Sequence, residues 1–138
     1  MDLIVAWIKM IKTDIDYQII DNRIFPHSHF TVGEMHCRCG CGMGVIPKLM
    51  VMLEALRSLV GKPLIINSGA RCKVHNKSVG GYPKSKHLYG IAADIRVIDE
   101  AHSYSIVHHA PKLGFNGIGV DDAFIHVDLR TKPATWTY

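Results

Sequence analysis

Two stretches of the chain alternate apolar and polar residues so regularly that they read as half-buried strands, and the rest of the fold must be arranged around them. In the segment 91–97, Ile91, Ala93, Ile95 and Val97 share one face, and Ala92, Asp94 and Arg96 share the other. In the segment 124–129, Ile125, Val127 and Leu129 lie opposite Phe124, His126 and Asp128. Side chains two residues apart on a strand point the same way. Neighbouring strands of this design put Asp94, His126 and Asp128 on a common polar face. Their apolar faces are left to pack on a layer of helices.

The helices are legible too. Pro47 opens a segment with Leu49, Met50, Met52, Leu53, Leu56, Leu59 and Val60 at three-to-four spacing, and Gly61 closes it. Asp99 is placed to cap a second helix over 100–110, ended near Pro111 and Gly114. Residues 63–68 read as a buried strand. Residues 117–120 pair with 124–129 in a hairpin turned at Asp121 and Asp122. Three glycines make 36–44 irregular, and five glycines and prolines make 69–90 a long loop, a kind of segment that is usually functional in compact domains. The order predicts an α+β fold with a small, mainly antiparallel sheet packed with helices.

At 138 residues and 48% apolar content, the chain is long enough for one core. No apolar run approaches the ~18–20 residues needed to cross a bilayer. Leu3 to Ile8 is apolar, but Asp2 stands where a signal peptide carries basic residues, so this stretch is read as structure and not as an export signal. The net charge of +4 favours approach to an anionic surface such as cell wall or nucleic acid, and selects neither.

His87 lies seven residues before Asp94. That separation is ~10 Å along a helix and ~23 Å along a strand. Ligand atoms sharing a zinc ion sit only ~3–3.5 Å apart. The pair can meet only if the chain reverses, and Gly90 is where reversal costs least. A centre of His87, Asp94 and His126 is therefore permitted, with a fourth position left for water. Spacing alone does not establish it, since single histidines are more often surface or core residues.

The run Ser85-Lys-His87-Leu-Tyr-Gly90-Ile-Ala92-Ala-Asp94 matches the signature S-x-H-x-x-G-x-A-x-D. It resembles the zinc D-alanyl-D-alanine carboxypeptidases and L-alanyl-D-glutamate endopeptidases, relatives of the hedgehog signalling domain. Ser68-Gly-Ala-Arg71, followed by His75-Asn76, is similar to the family's S-G-x-R segment. The runs 114–119 and 124–128 are similar to its last hairpin, and 30–39 to the segment that opens the domain in small phage and bacterial members. The resemblance covers roughly 28–136. It implies a peptidase domain over 28–138, with residues 1–27 an N-terminal extension or first element.

It further implies Zn2+ bound by His87, Asp94 and His126, with Arg71 holding a substrate carboxylate or the carbonyl oxygen that becomes an oxyanion. Several family members carry an acid three residues before the last histidine ligand; here that position is Ala123. Asp128 is then expected near the metal, as base or as a group orienting a ligand. Asp121 or Asp122 is the base if the turn folds inward; otherwise they form a solvated turn. Ser85 is expected to hydrogen-bond near the site, where it helps bind substrate, or to stabilise the loop, and Tyr82, Tyr89 and Trp136 to line a groove for the peptide or pack at the sheet edge. The implied substrate is a peptidoglycan stem peptide, cut by a monomer made in the cytoplasm and acting at the wall, with release like that of a phage endolysin. Neither nucleic acid nor membrane is an expected partner. The alternative is a non-catalytic zinc-binding module of the same fold, which Ala123 favours.

Four cysteines remain: Cys37, Cys39 and Cys41 in the glycine-rich loop, and Cys72 after Arg71. The spacing allows a disulfide to Cys72, a structural zinc on all four, or free thiols. Free buried thiols are the expectation for a reducing compartment.

Overall fold

In a computed structural model, which describes residues 28–138, the two alternating segments become adjacent strands of a five-stranded sheet. The reading of residues 1–27 lies outside the described residues. The strands are β1 (Ile66–Ser68), β2 (Ala92–Arg96), β3 (Gly117–Val120), β4 (Phe124–Asp128) and β5 (Ala134–Thr137), in spatial order β1-β2-β4-β3-β5. Every pairing is antiparallel except β3 with β5. The register sets Asp94 opposite His126, Ala93 opposite Val127 and Ile95 opposite Ile125.

The helices are α1 (Pro47–Val60), α2 (Lys73–Ser78) and α3 (Glu100–Leu113). Leu49, Met52, Leu53 and Leu56 of α1 and Ile106 and Ala110 of α3 pack with Ala93, Ile95, Ile125 and Val127 in one core. Period-two burial from the strands meets period-3.6 burial from the helices, which fixes which face of β2 and β4 stays polar. Glu54 of α1 is buried and holds the first described residues. It accepts from the Ser28 hydroxyl at 3.2 Å and the His29 amide at 2.8 Å, and pairs with the His29 ring.

Four local expectations change. The strand expected over 63–68 is ordered into the sheet only from Ile66, since Pro63 has no N–H to offer a ladder. The helix expected over 100–110, ended near Pro111 and Gly114, runs through Pro111 to Leu113 and stops at Gly114. Proline there falls in the last turn, and Gly114, at φ 106°, closes the helix with its N–H on Ala110 and Pro111 carbonyls. The long loop 69–90 contains α2 and a 3₁₀ turn over Lys86–Tyr89. The cysteines are not uniformly buried: Cys37 is, Cys72 is half-buried, and Cys39 and Cys41 are exposed.

Candidate metal centre and cleft

His87 is the second residue of the 3₁₀ turn, which Ser85 caps: the His87 N–H donates to Ser85 Oγ at 3.2 Å. Gly90 follows at φ 67°, reversing the chain into β2 and bringing His87 back over Asp94. Its Nε2 lies 3.2 Å from Asp94 Oδ1. From the next strand, His126 Nδ1 lies 3.0 Å from the same oxygen. One donor atom from each of the three residues falls within 4.8 Å of the others. Ligands at ~2 Å from a tetrahedral ion are roughly 3.3 Å apart.

The far side of each ring sets its tautomer. His87 Nδ1–H donates to the Gly69 carbonyl at 2.6 Å, which leaves Nε2 a bare lone pair, buried and without a hydrogen-bond partner. His126 Nε2–H donates to Asp128 Oδ2 at 2.7 Å, which turns its Nδ1 lone pair on Asp94. Two lone pairs and a carboxylate oxygen thus converge, an arrangement that calls for a cation between them or for protons on the rings. Burial would raise the Asp94 carboxyl, but His126 and His87 hold it well below the usual carboxylate range. Burial would lower His126, but Asp128 and Asp94 raise it.

Asp128 is wholly buried. Besides His126 it accepts from Arg130 Nε at 2.9 Å and Nη2 at 2.7 Å, and from the Arg130 amide at 3.0 Å. Burial would raise its carboxyl too, and these donors hold it well below the usual range. Arg130 in turn lies over the Trp136 ring, 4.6 Å from its centre. Asp128 therefore reaches the cluster through His126.

The cleft above these residues encloses about 590 Å³. Arg71, Tyr82, Ser85 and Trp136 line it, as do Phe124 and Tyr138. Arg71 Nη1 donates to Asn76 Oδ1 at 3.2 Å, Nη2 stands 3.8 Å from Asp94 Oδ2, and Nε is buried with no partner. Among the described residues lining the cleft, Arg71, Lys84, Lys86 and Arg130 are cationic, and Asp94 is the carboxylate that faces them. Tyr89 does not line it; Lys86 Nζ stands 5.5 Å over its ring.

Asp121 and Asp122 are not brought to this cleft. They line a separate depression with Val97, Ile98, Asp99 and Glu100, and Asp121 Oδ2 accepts the Ala123 amide at 2.9 Å, so the pair closes the hairpin as a turn. The inward-folded turn is not the one adopted. Sequence reasoning placed Gly69 and Asn76 in the segment around Arg71 without giving either a role, and it missed Arg130. For Arg130 the Asp128-x-Arg130 spacing was the available signal, an acid and a base two apart at the end of a strand.

Two imidazoles and a carboxylate, with their donor atoms converging beside an open cleft, are a donor set that could hold a divalent metal ion. The Peptidase M15 family model matches residues 28–128, and the chain belongs to that family of peptidases. Over 47 residues it is 45% identical to the zinc D-Ala-D-Ala carboxypeptidase of Streptomyces albus G. That match covers 33% of this chain and 18% of that protein.

Proposed function

We propose that the chain is a zinc peptidase that hydrolyses peptidoglycan stem peptides, with His87, Asp94 and His126 holding the ion. The observation that carries the reading is the bare, buried Nε2 of His87 aimed at Asp94, which no protein group satisfies. Bound there, zinc supplies Lewis-acid polarisation of a carbonyl and an acidified water. Arg71 lines the cleft and presents its guanidinium there to a substrate carboxylate or to the carbonyl oxygen under attack. Asp128 positions His126 and keeps its Nδ1 free for the metal. Ser85 caps the turn that presents His87, and Tyr82 gives the peptide an exposed ring at the cleft.

The four cationic side chains around one carboxylate suit a peptide rich in carboxylates, as stem peptides with D-glutamate and a C-terminal D-alanine are. D-alanyl-D-alanine carboxypeptidase and L-alanyl-D-glutamate endopeptidase are the two specificities this lining serves. Action at the wall, including cell lysis, follows from such a substrate. One observation favours a second reading, a zinc-binding wall module without catalysis: no carboxylate beyond Asp94 lines the cleft among the described residues, and Ala123 stands three before His126.

Mass spectrometry of purified muropeptides, incubated with the protein and zinc or with chelator, separates the two. A zinc-dependent product establishes the peptidase, and its mass names the bond. No product from several wall chemistries, with zinc bound at this centre, overturns it in favour of the binding module.

A further inference from the structure

The four cysteines lie outside the cleft and play no part in the reading above, yet the fold gathers them from two distant segments. Cys37, Cys39 and Cys41 alternate in the loop 36–44, and Cys72 directly precedes α2. Sγ of Cys37 is 3.4 Å from that of Cys39 and 3.8 Å from that of Cys72, and Cys39 and Cys72 are 3.7 Å apart. All four sulfurs fall within 4.8 Å of one another. Four thiolates around one ion at ~2.3 Å form a tetrahedron with edges of about 3.8 Å. Near-equal spacing of Cys37, Cys39 and Cys72, with Cys41 within reach of all three, is what a shared centre requires. A disulfide would instead single out one pair and leave two thiols over.

The loop is shaped for this. Alternate residues of an extended chain would string their sulfurs out in a row. Gly40 at φ 83° and Gly42 at φ 87° curl it instead, and neither has any atom within 4 Å of where a Cβ would stand, so their role is backbone conformation and not space. The curl is closed by the Cys37 amide on the Met43 carbonyl at 2.8 Å. Backbone donors also address the sulfurs: the Cys72 amide meets Cys37 Sγ at 3.4 Å, and the His75 amide meets Cys72 Sγ at 3.4 Å. Amide donors of this kind stabilise negative sulfur.

We propose that Cys37, Cys39, Cys41 and Cys72 bind a second, structural zinc ion as a closed tetrathiolate that ties the 36–44 loop to the segment carrying Arg71. Four soft donors select zinc over the hard cations, and a full tetrahedron leaves no open position for substrate. The ion reinforces a seam already present, where the Ala70 amide donates to the Met35 carbonyl at 2.9 Å. The site stands whether or not the cleft is catalytic.

The test uses the whole chain, purified anaerobically without chelator. Native mass spectrometry and elemental analysis are expected to find two zinc ions per chain, and one in a His87→Ala/His126→Ala variant. Replacing zinc with Co2+ in the unaltered protein should give an intense sulfur-to-cobalt charge-transfer band in the near ultraviolet. The cleft centre has no sulfur ligand and cannot produce that band, so this readout does not depend on any variant folding. Cys39→Ser and Cys72→Ser should each lower its intensity by at least about a quarter, the share of one thiolate in four. Four thiols freely alkylated in the zinc-loaded protein, a disulfide among them in rapidly quenched samples, iron in place of zinc, or a cobalt spectrum without the charge-transfer band would each overturn the proposal.

Discussion

Gly117→Ala tests the support of His126 without touching a proposed ligand. A Cβ at Gly117 would stand 2.2 Å from Asp128 Oδ1 and 2.3 Å from both Cγ and Oδ2, where ordinary contacts begin near 3.4 Å. The carboxylate must retreat by about 1 Å or the strand must shift, an overpacking cost of roughly 1–3 kcal/mol. Asp128 has no slack to give. It is held at 2.7 Å by His126 Nε2 and at 2.7 Å by Arg130 Nη2, and a 1 Å displacement stretches such a bond past its useful range. Losing a group that orients a metal ligand typically costs 10–100-fold in metal affinity. We therefore expect Gly117→Ala to melt earlier and to weaken zinc binding at the cleft by about 10–100-fold, measured by competition with a chromophoric chelator. Asp128→Ala, which opens space instead of closing it, should weaken zinc binding over the same range. A folded Gly117→Ala protein with unchanged zinc affinity, together with an unchanged Asp128→Ala, would refute the positioning role.

Arg71→Ala should lower muropeptide turnover by about 10²-fold or more with zinc still bound at the cleft, and equal turnover would remove Arg71 from the reaction. Asp121→Asn and Asp122→Asn should keep full turnover, because their side chains line another depression; a large loss in either would bring the turn into the chemistry. In chelated protein, the depressed Asp94 and Asp128 carboxyls contribute stability that is present above their ordinary value of 3.8 and is lost as pH falls through their folded values. His126, raised above 6.5, contributes stability present below that value and lost as pH rises through its folded value. Thermal melts of the metal-free protein should therefore peak between about pH 4 and 6.5, and a flat profile would contradict the coupling.

What could be read in advance was set by periodicity. Helix α1 spans Pro47–Val60, bounded as its proline and Gly61 predict, and the apolar faces of β2 and β4 are the alternating residues. The meeting of Asp94 and His126 follows once those strands are neighbours, because both lie on the polar face and the register makes them partners. The reversal at Gly90 was demanded by distance alone. Other features have no local cause. β5 is Ala-Thr-Trp-Thr, with nothing in its pattern to announce a parallel edge strand; Trp136 docks over Gly119, where a Cβ would meet the indole at 2.6 Å. Asp128 shares a face with His126, as the two-residue spacing requires. Whether its carboxylate meets the metal or the back of the imidazole depends on a ring rotation that spacing does not encode. The turn at Asp121 and Asp122 is similar: the pair is legible as a turn, and the direction it faces is a tertiary fact.

One four-residue run joins everything proposed here. Gly69 gives its carbonyl to His87 Nδ1 and so exposes Nε2 to the metal. Ala70 gives its amide to the Met35 carbonyl at the mouth of the cysteine loop. Arg71 enters the cleft while its amide bonds the His87 carbonyl at 3.0 Å. Cys72 turns away to the other sulfurs. The run itself lies outside the sheet, whose edge strand β1 ends at Ser68 just before it, so its backbone is placed by these hydrogen bonds and not by a strand ladder. A catalytic arginine misplaced by 1 Å is costly. A tetrathiolate ion one residue away would add a further anchor to those backbone bonds, which gives the cysteine loop a mechanical purpose at the cleft without any contact with substrate.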